Sequence, residues 1–585
     1  MRRQSNKQIT AILFTLAFLI YANALFAGFV LDDQDLIIKK STFFSHPDNV
    51  LAIFTIPDAT FNAATPYYRP LNTLSYMLDH YLWGLHPFGY HLENILIHAL
   101  VAVLLYLLLV EVFNDWRLAF FAAVLFAVYP VNAEAVDAVF NRNTLFCALF
   151  SLASLLLLAK GGTKWTALSF LAYFFALLSK EPAAVVPFFL LTFAITSGGR
   201  AFRARWKALA GFFAILILYF FIRQHVLGVF VANESVPFSI ARLKFMSAVI
   251  FENFRLMLFP FKLDANYSLL KIFYTPSKAA AATAGLASLV FFSIYKKTPA
   301  PVRAGSQWIL WGLLPVSNIV MIPSAPVAER YLYTILPGFV LILAYALSAL
   351  YRRKARATVA AGMLLTVAMG SRTFDRNFVW RDNMSLYRSV IRSDPGNPEY
   401  YYYLALSLYN AGRLDESRKM FESALKRQPD YPEALTYLGL ICMKKGDLEG
   451  AKRQFQSAVS LQPDYAAAHA QLGVVYAEQN LFEQAEHEFG ETVRLDPGSA
   501  GAHLDLAITL LRLGLYKKAQ AEFINVLSLA PDNITAHNDL GAIYARQGRL
   551  ESARREFRAV LTLDPGNSLA ARDLSAIGME ANGGK

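Results

Sequence analysis

Apolar residues gather into long runs over 9–30, 93–112, 118–130, 144–159, 165–179, 183–197, 208–223, 279–295, 306–322, 332–350 and 357–370, joined by short polar connections. Such runs predict helices placed in lipid. Several are shorter than the roughly 20 residues needed to cross a bilayer, so their ends must extend into flanking polar sequence. The first run follows a basic start but outlasts the apolar centre of a secretory signal, and it reads as a retained span. The stretch "FMSAVIFENFRLMLFP", 245–260, carries Glu252, Asn253 and Arg255 at its centre, which favours an interfacial or re-entrant helix. The basic connections "MRRQSNK", "KGGTK", "GGRAFRARWK", "YKKTPAPVR" and "YRRKAR" order the runs by the positive-inside rule. With 245–260 not crossing, the expectation is about eleven spans, within ten to thirteen, and a C-terminal region on the non-cytoplasmic side.

The pattern changes after "SRTFDRNFVWRDN". From Asp394 the chain is charged and alanine-rich, with no run able to span a bilayer. Pro395, Pro429, Pro463, Pro497, Pro531 and Pro565 recur every 34 residues, as do Phe421, Phe455, Phe489, Phe523 and Phe557. Gly412, Gly446, Asn480, Gly514 and Gly548 share that step at the place where one helix must turn into the next. A 34-residue period is that of the tetratricopeptide repeat. The fold expected is therefore all-α: a polytopic membrane domain, 1–371, a linker, 372–397, five repeats in an α-solenoid, 398–567, and a capping segment with a disordered tail, 568–585. A solenoid offers a concave surface for a protein partner; a passive spacer is the plainer role.

Composition agrees with this division. Of 585 residues 56% are hydrophobic and 17% charged, the charged ones concentrated in the last third. The formal charge of +12 falls largely in short loops between apolar runs, where membrane proteins place it, and does not point to nucleic acid. Cys147 and Cys442 form no disulfide or metal framework.

The topology gathers ionisable residues of mixed sign on the non-cytoplasmic face. "GFVLDDQDLIIKK" leaves the first span with Asp32, Asp33 and Asp35, and the same face holds Arg69, His86, Glu134, Asp137, Arg142, Lys180, Glu181, Glu329 and Arg330. Charges beside spans are costly unless paired or hydrated. Their clustering suits a site that binds a phosphate and activates a hydroxyl.

Motifs in order sharpen that reading. "YYRPLNTLSYMLDHYLWGLHPFGYHLENILIHALVAVLLYLLL" is followed by "YPVNAEAVDAVFNRN", "LLSKEPA", "FRLMLFPFKLDANYS" and "AERYLYTILPGF". Together with the acidic pair and the repeats, they resemble the transmembrane and TPR-containing O-mannosyltransferase family. The family usually has Gly-Arg-x-(Asp/Glu) where this chain reads "NRNTL", with Asn143 taken as replacing the acid, which puts the role of that loop in doubt. The resemblance implies a multi-span glycosyltransferase of the GT-C class, an integral protein of the bacterial inner membrane or the ER membrane. It implies a polyprenyl-phosphate sugar donor, mannose among sugars, and a protein Ser/Thr or glycan hydroxyl acceptor recruited by periplasmic or lumenal repeats.

Inverting transfer needs a base for the acceptor hydroxyl and cations for the departing phosphate. In the family-like reading Asp33 is the base and Asp32 its support; a divalent metal ion shared by the pair, or a hydrated helix cap, are alternatives. Arg69, Lys180 and Arg330 are the phosphate candidates, although Lys180 with Glu181, and Arg330 with Glu329, also make plain ion pairs. His91, Asn94 and His98 share one helical face and could line the cavity or bind metal, with polar packing between spans favoured over ligation. Glu134 and Arg142 complete the candidates. A non-enzymatic membrane anchor for a repeat scaffold is the main competing function; a transporter would carry its ionisable residues nearer the middle of spans.

Overall fold

The computed structural model describes residues 2–56, 67–196, 206–228, 239–265, 267, 272–319 and 325–582. Two compact units divide between Ser393 and Asp394. Among the described residues both are helical, and the one extended pairing is an isolated antiparallel bridge between Tyr267 and Val327.

Each apolar run of the first unit lies mainly in a helix. Six helices are long and apolar enough to cross a membrane: Asn6–Phe26, Pro87–Phe113, Val139–Lys160, Lys207–Leu227, Pro276–Ile294 and Ala355–Trp380. A seventh span arises if Trp116–Ala127 and Pro130–Asp137 count as one, bent by 51° where Pro130 supplies no N–H to continue the ladder. Glu181–Thr196 and Leu336–Tyr351 are apolar but shorter. Length and composition thus support six or seven of the eleven expected spans among the described residues. The loop "GGRAFRARWK" lies mostly outside the described residues. The ambiguous stretch is the helix Ile240–Leu258, in which Glu252 bonds Arg255 at 2.6 Å and Lys278 of a neighbouring helix at 3.2 Å, so its central charges are paired.

Helices in lipid gain little from the hydrophobic effect against one another, so small residues and polar contacts hold them. Gly305 and Gly338 show this most directly. A Cβ on either would sit 2.6–2.7 Å from the other's carbonyl oxygen, so the helices Ala300–Leu313 and Leu336–Tyr351 touch backbone to backbone. Ser154 and Ser169 each donate to the other's carbonyl at 2.8 Å, joining the helices Arg142–Lys160 and Thr163–Ser179.

The stretch expected as a linker is largely helical. The helix Ala355–Asn377 runs well past the last apolar run, a single turn Phe378–Trp380 follows, and the helix Asn383–Ser393 ends the unit.

The second unit consists of five helix pairs beginning with Pro398–Asn410 and ending with Leu550–Leu563, then the helix Ser568–Asn582. That last helix takes in 578–582 of the tail expected to be disordered; 583–585 lie outside the described residues. Asn480 (φ 60°) adopts the left-handed conformation that Gly412, Gly446, Gly514 and Gly548 take at the other turns, as its place in the 34-residue series requires. Inside each of the last three repeats one imidazole bridges both helices. Nδ1 of His469, His503 and His537 lies 2.6–2.7 Å from Glu488, Glu522 and Glu556, while Nε2 donates to the carbonyls of Pro463, Pro497 and Pro531. In the first repeat Arg427 and the Tyr401 hydroxyl donate to Pro395 instead.

Glycine is used for space as well. A Cβ on Gly473 would lie 2.7 Å from the Phe489 ring, which is packed between the helices of its repeat. Gly473→Leu should therefore destabilise the repeat unit by about 1–3 kcal/mol, whereas Gly490→Ala, with open space around it, should be neutral or mildly stabilising. Thermal unfolding of a 394–585 fragment followed by circular dichroism checks both; equal melting temperatures for the two variants would refute the packing argument.

Candidate functional site

The acidic loop is shaped by Asp33. Its Oδ2 accepts from the N–H of Val30 at 2.9 Å and its Oδ1 from the N–H of Phe140 at 2.6 Å, and the side chain has no solvent exposure. Burial pushes the carboxyl up to about 7 even though both N–H bonds favour the anion. Asp33 therefore ties the end of the first helix to the 138–141 turn. Leu31 takes a left-handed φ of 46° to make this turn, and its N–H is received by Asn383 at 3.0 Å. The neighbouring carboxylate has the opposite setting: Asp32 is exposed, with Arg330 close enough to counter the rise that partial enclosure gives its carboxyl. Asp35 pairs with Lys39 at 2.5 Å. Of the three, Asp32 is the carboxylate that an incoming hydroxyl can reach, and the role expected for Asp33 conflicts with its burial.

Arg330 enters from the short helix Glu329–Leu332. Its guanidinium binds Glu134, whose second oxygen takes the Arg330 backbone N–H at 2.9 Å. Glu329 does not pair with Arg330, as the sequence alternative had it. It points the other way, accepting from Arg376 at 2.7 Å and from the Tyr267 hydroxyl at 3.0 Å. Burial raises the Glu329 carboxyl to about 7 against the pull of Arg376.

A second group of cations adjoins the first. Lys180 donates to Thr144 at 2.6 Å and lies 5.9 Å from the centre of the Tyr331 ring. Burial, with Arg69 and Arg330 adding repulsion, lowers its ammonium to about 7. Glu181 pairs with Arg69 at 2.9 Å and not with Lys180. Arg69 also lies 4.1 Å over the Tyr67 ring, and Arg223 brings a further positive charge toward Glu181. Arg69, Lys180 and Arg330 are thus brought together as expected. Below them two apolar cavities of about 40 and 50 Å³ share Leu155, Phe189, Trp308 and Pro337 and so follow one another into the helices. The upper one begins at Cys147, Pro182 and Thr334, beside Lys180.

Arg142 is placed differently from its expectation as a substrate-binding residue. It has no exposure, and its donors meet Asp79 (2.6 Å), Glu93 (2.9 Å), Asn94 (2.8 Å), Ser75 (3.2 Å) and the Tyr90 carbonyl (2.9 Å). It joins three helices instead of facing a ligand. His91 is likewise fully buried. Its two companions on the same face are engaged by protein: Asn94 donates to Val136 at 3.0 Å, and His98 contacts the Tyr333 hydroxyl at 2.8 Å and the Ala127 carbonyl at 3.1 Å. Among the described residues no group of three or more His, Cys, Asp or Glu side chains could hold a metal ion. The surroundings of the acidic pair differ, since Asp33 is enclosed with a backbone N–H on each oxygen while Asp32 is exposed.

Arg376, Tyr267 and Arg223 were not among the residues singled out. Arg376 lies on a helical face, with Met369, Thr373, Asn377 and Trp380, that stays buried through "SRTFDRNFVW", but only Met369 and Trp380 of that face are apolar, so the pattern does not announce it.

The dolichyl-phosphate-mannose-protein mannosyltransferase family matches residues 75–222, and tetratricopeptide-repeat families match 385–432, 402–451, 439–480 and 504–568. The first match holds Glu134, Arg142, Lys180 and Glu181; Asp32 and Arg330 lie outside it. Protein O-mannosyl-transferase F38B6.6 of Caenorhabditis elegans is 27% identical over 70% of this chain and 61% of its own length. The mouse protein O-mannosyl-transferase TMTC4 is 26% identical over 67% and 63%, and the human TMTC3 25% over 68% and 49%. The chain thus spans less than two thirds of the length of these relatives. Among solved structures, the TPR protein YrrB, described as having an unusual peptide-binding site, covers 32% of this chain and 96% of its own at 19% identity, with a TM-score of 0.30.

The Arg142 cluster yields a stability test. Removing the guanidinium leaves Asp79 as an unpaired buried charge, so Arg142→Leu should cost about 3–5 kcal/mol. Adding Asp79→Leu should recover part of that loss. Detergent-solubilised protein in a thermal-shift assay reads both, and strictly additive losses would show that the two side chains are not coupled.

Proposed function

Because the chain joins a mannosyltransferase-type membrane segment to tetratricopeptide repeats, we propose that it moves mannose from a polyprenyl-phosphate donor to a protein hydroxyl. The observation that carries this reading is the exposed carboxylate of Asp32 beside Arg330, with Lys180 and Arg69 adjoining. Asp32 takes the proton of a Ser or Thr hydroxyl as its oxygen attacks C1 of the sugar. The bond from C1 to the phosphate oxygen breaks with inversion, and its electron pair leaves on the phosphate. Arg330, Lys180 and Arg69 receive the charge that develops there, and the part-buried pairings with Glu134 and Glu181 hold two of these cations in place before the donor arrives. The apolar cavities beside Pro182 provide a start for the polyprenyl tail. The site faces the periplasm or ER lumen in this reading, and the repeats recruit the acceptor. A scaffold without catalysis gives no reason for an exposed carboxylate among cations next to an apolar path.

Transfer of labelled mannose from polyprenyl-phosphate mannose to a Ser/Thr peptide, in membranes containing this protein, tests the assignment. Asp32→Asn should lower kcat by about 10²-fold or more with donor KM little changed. Asp33→Asn should instead lower the amount of folded protein, since an amide NH₂ would face one of two backbone N–H groups. Near-normal transfer by Asp32→Asn sinks this mechanism.

Lys180 sets a pH dependence. The ammonium is the phosphate-binding form and exists below about 7, so kcat/KM for the donor should fall as pH rises through that value. Lys180→Arg keeps its charge and should abolish this alkaline limb. An unchanged limb in that variant would remove Lys180 from the phosphate site.

A further inference from the structure

A cavity of about 690 Å³ opens in the membrane unit on the far side of Glu329 from Arg330. Arg255, Lys262, Arg372, Arg376 and Arg392 line it, against two carboxylates, Glu252 and Asp264. Arg255 is paired with Glu252 and Arg376 with Glu329, which leaves Lys262, Arg372 and Arg392 against Asp264, a positive balance. Arg376 supplies the buried wall: it is 2% exposed, holds Glu329 with Nη2, and has no hydrogen-bond partner for its Nε among the described residues.

We propose that this cavity binds an acidic stretch of the protein acceptor, carboxylate side chains flanking the hydroxyl that is modified. The inference rests on the transferase reading above and names the acceptor class. Three features favour a spaced polyanion over a single phosphate. The volume is that of an ordinary ligand pocket of about 300–1,000 Å³, with room for several residues. Its cations come from separate segments, one each at 255, 262 and 392 and two at 372 and 376, so no three of them stand on one short stretch. The hydroxyls of Ser389 and Ser393 add neutral partners suited to a peptide backbone. The cavity also lies at the right remove from the chemistry. Glu329, bonded to the cavity wall, precedes Arg330, which faces Asp32, so consecutive residues separate the two sites.

Full-length protein in nanodiscs of neutral lipid, and in a parallel set containing anionic lipid, is given equal-length fluorescent peptides with one Thr flanked by Glu, Gln or Lys. Binding is read by anisotropy without donor, and transfer by kcat/KM with polyprenyl-phosphate mannose. The Glu peptide should bind about tenfold more tightly than the Lys peptide at low salt. Lys262→Glu/Arg392→Glu, two exposed positions outside the reacting groups, should erase that preference and leave donor KM unchanged. Lys262→Gln/Arg392→Gln should give an intermediate effect and serves if charge reversal impairs folding. Equal binding of the three peptides by the native protein, or a preference that survives both variants, overturns the proposal. So does a variant effect seen only in discs containing anionic lipid, which would make the occupant a headgroup. Charge-dependent peptide binding without mannose transfer would keep the cavity's role and remove the reaction assigned to Asp32.

Discussion

One buried carboxylate fixes the geometry on which the candidate site rests. Asp33 receives two backbone N–H groups more than a hundred residues apart, from Val30 and Phe140, and the loop after the first helix is folded by that pair of bonds. Its neighbour on the chain must then point elsewhere, and Asp32 is turned outward toward Arg330. The same turn places Leu31 where Asn383 can receive its N–H, and Gly28 donates to the carbonyl of Arg381 at 2.8 Å. A single buried carboxyl group thus fixes the turn through which the first loop meets both 138–141 and the end of the membrane unit.

Around it, charged side chains are gathered into small sets. Glu134 holds Arg330, Glu181 holds Arg69, Glu329 holds Arg376, and Asp79 and Glu93 hold Arg142. Desolvated ions are tolerated when each has its partner and its hydrogen bonds. The sets differ in what they leave over. Arg142 is engaged by protein at each of its three nitrogens, whereas Lys180 meets a hydroxyl and an aromatic ring and has a depressed affinity for its proton. That difference separates a residue that holds helices together from one able to meet an arriving anion.

Much of this was legible in the chain and some was not, for physical reasons. A 34-residue period leaves little freedom, because proline, the turn residue and the packed phenylalanine each mark a fixed point of one repeat. The apolar runs located helices well, but short ones such as Ala300–Leu313 and Leu336–Tyr351 do not state by themselves whether they cross. Asp32 and Asp33 are chemically identical neighbours, and only the long-range N–H of Phe140 decides which of them is enclosed. Glu329 and Arg330 are adjacent in sequence yet point to different partners, so pairing by proximity along the chain misassigned both. Arg376 was hidden because the polar letters of "SRTFDRN" read as a connection while the buried face of its helix continues through them.

The His–Glu bridges of the repeats carry a different kind of consequence. Each joins residues 19 apart within one repeat and is closed by a carbonyl six residues before the histidine, from the proline that recurs near the end of every 34-residue unit. Duplicating or deleting a unit leaves no histidine or glutamate without its mate. Unequal recombination at the 34-residue step can therefore lengthen or shorten the array while its internal wiring stays intact, which makes the number of repeats an easy quantity for evolution to vary.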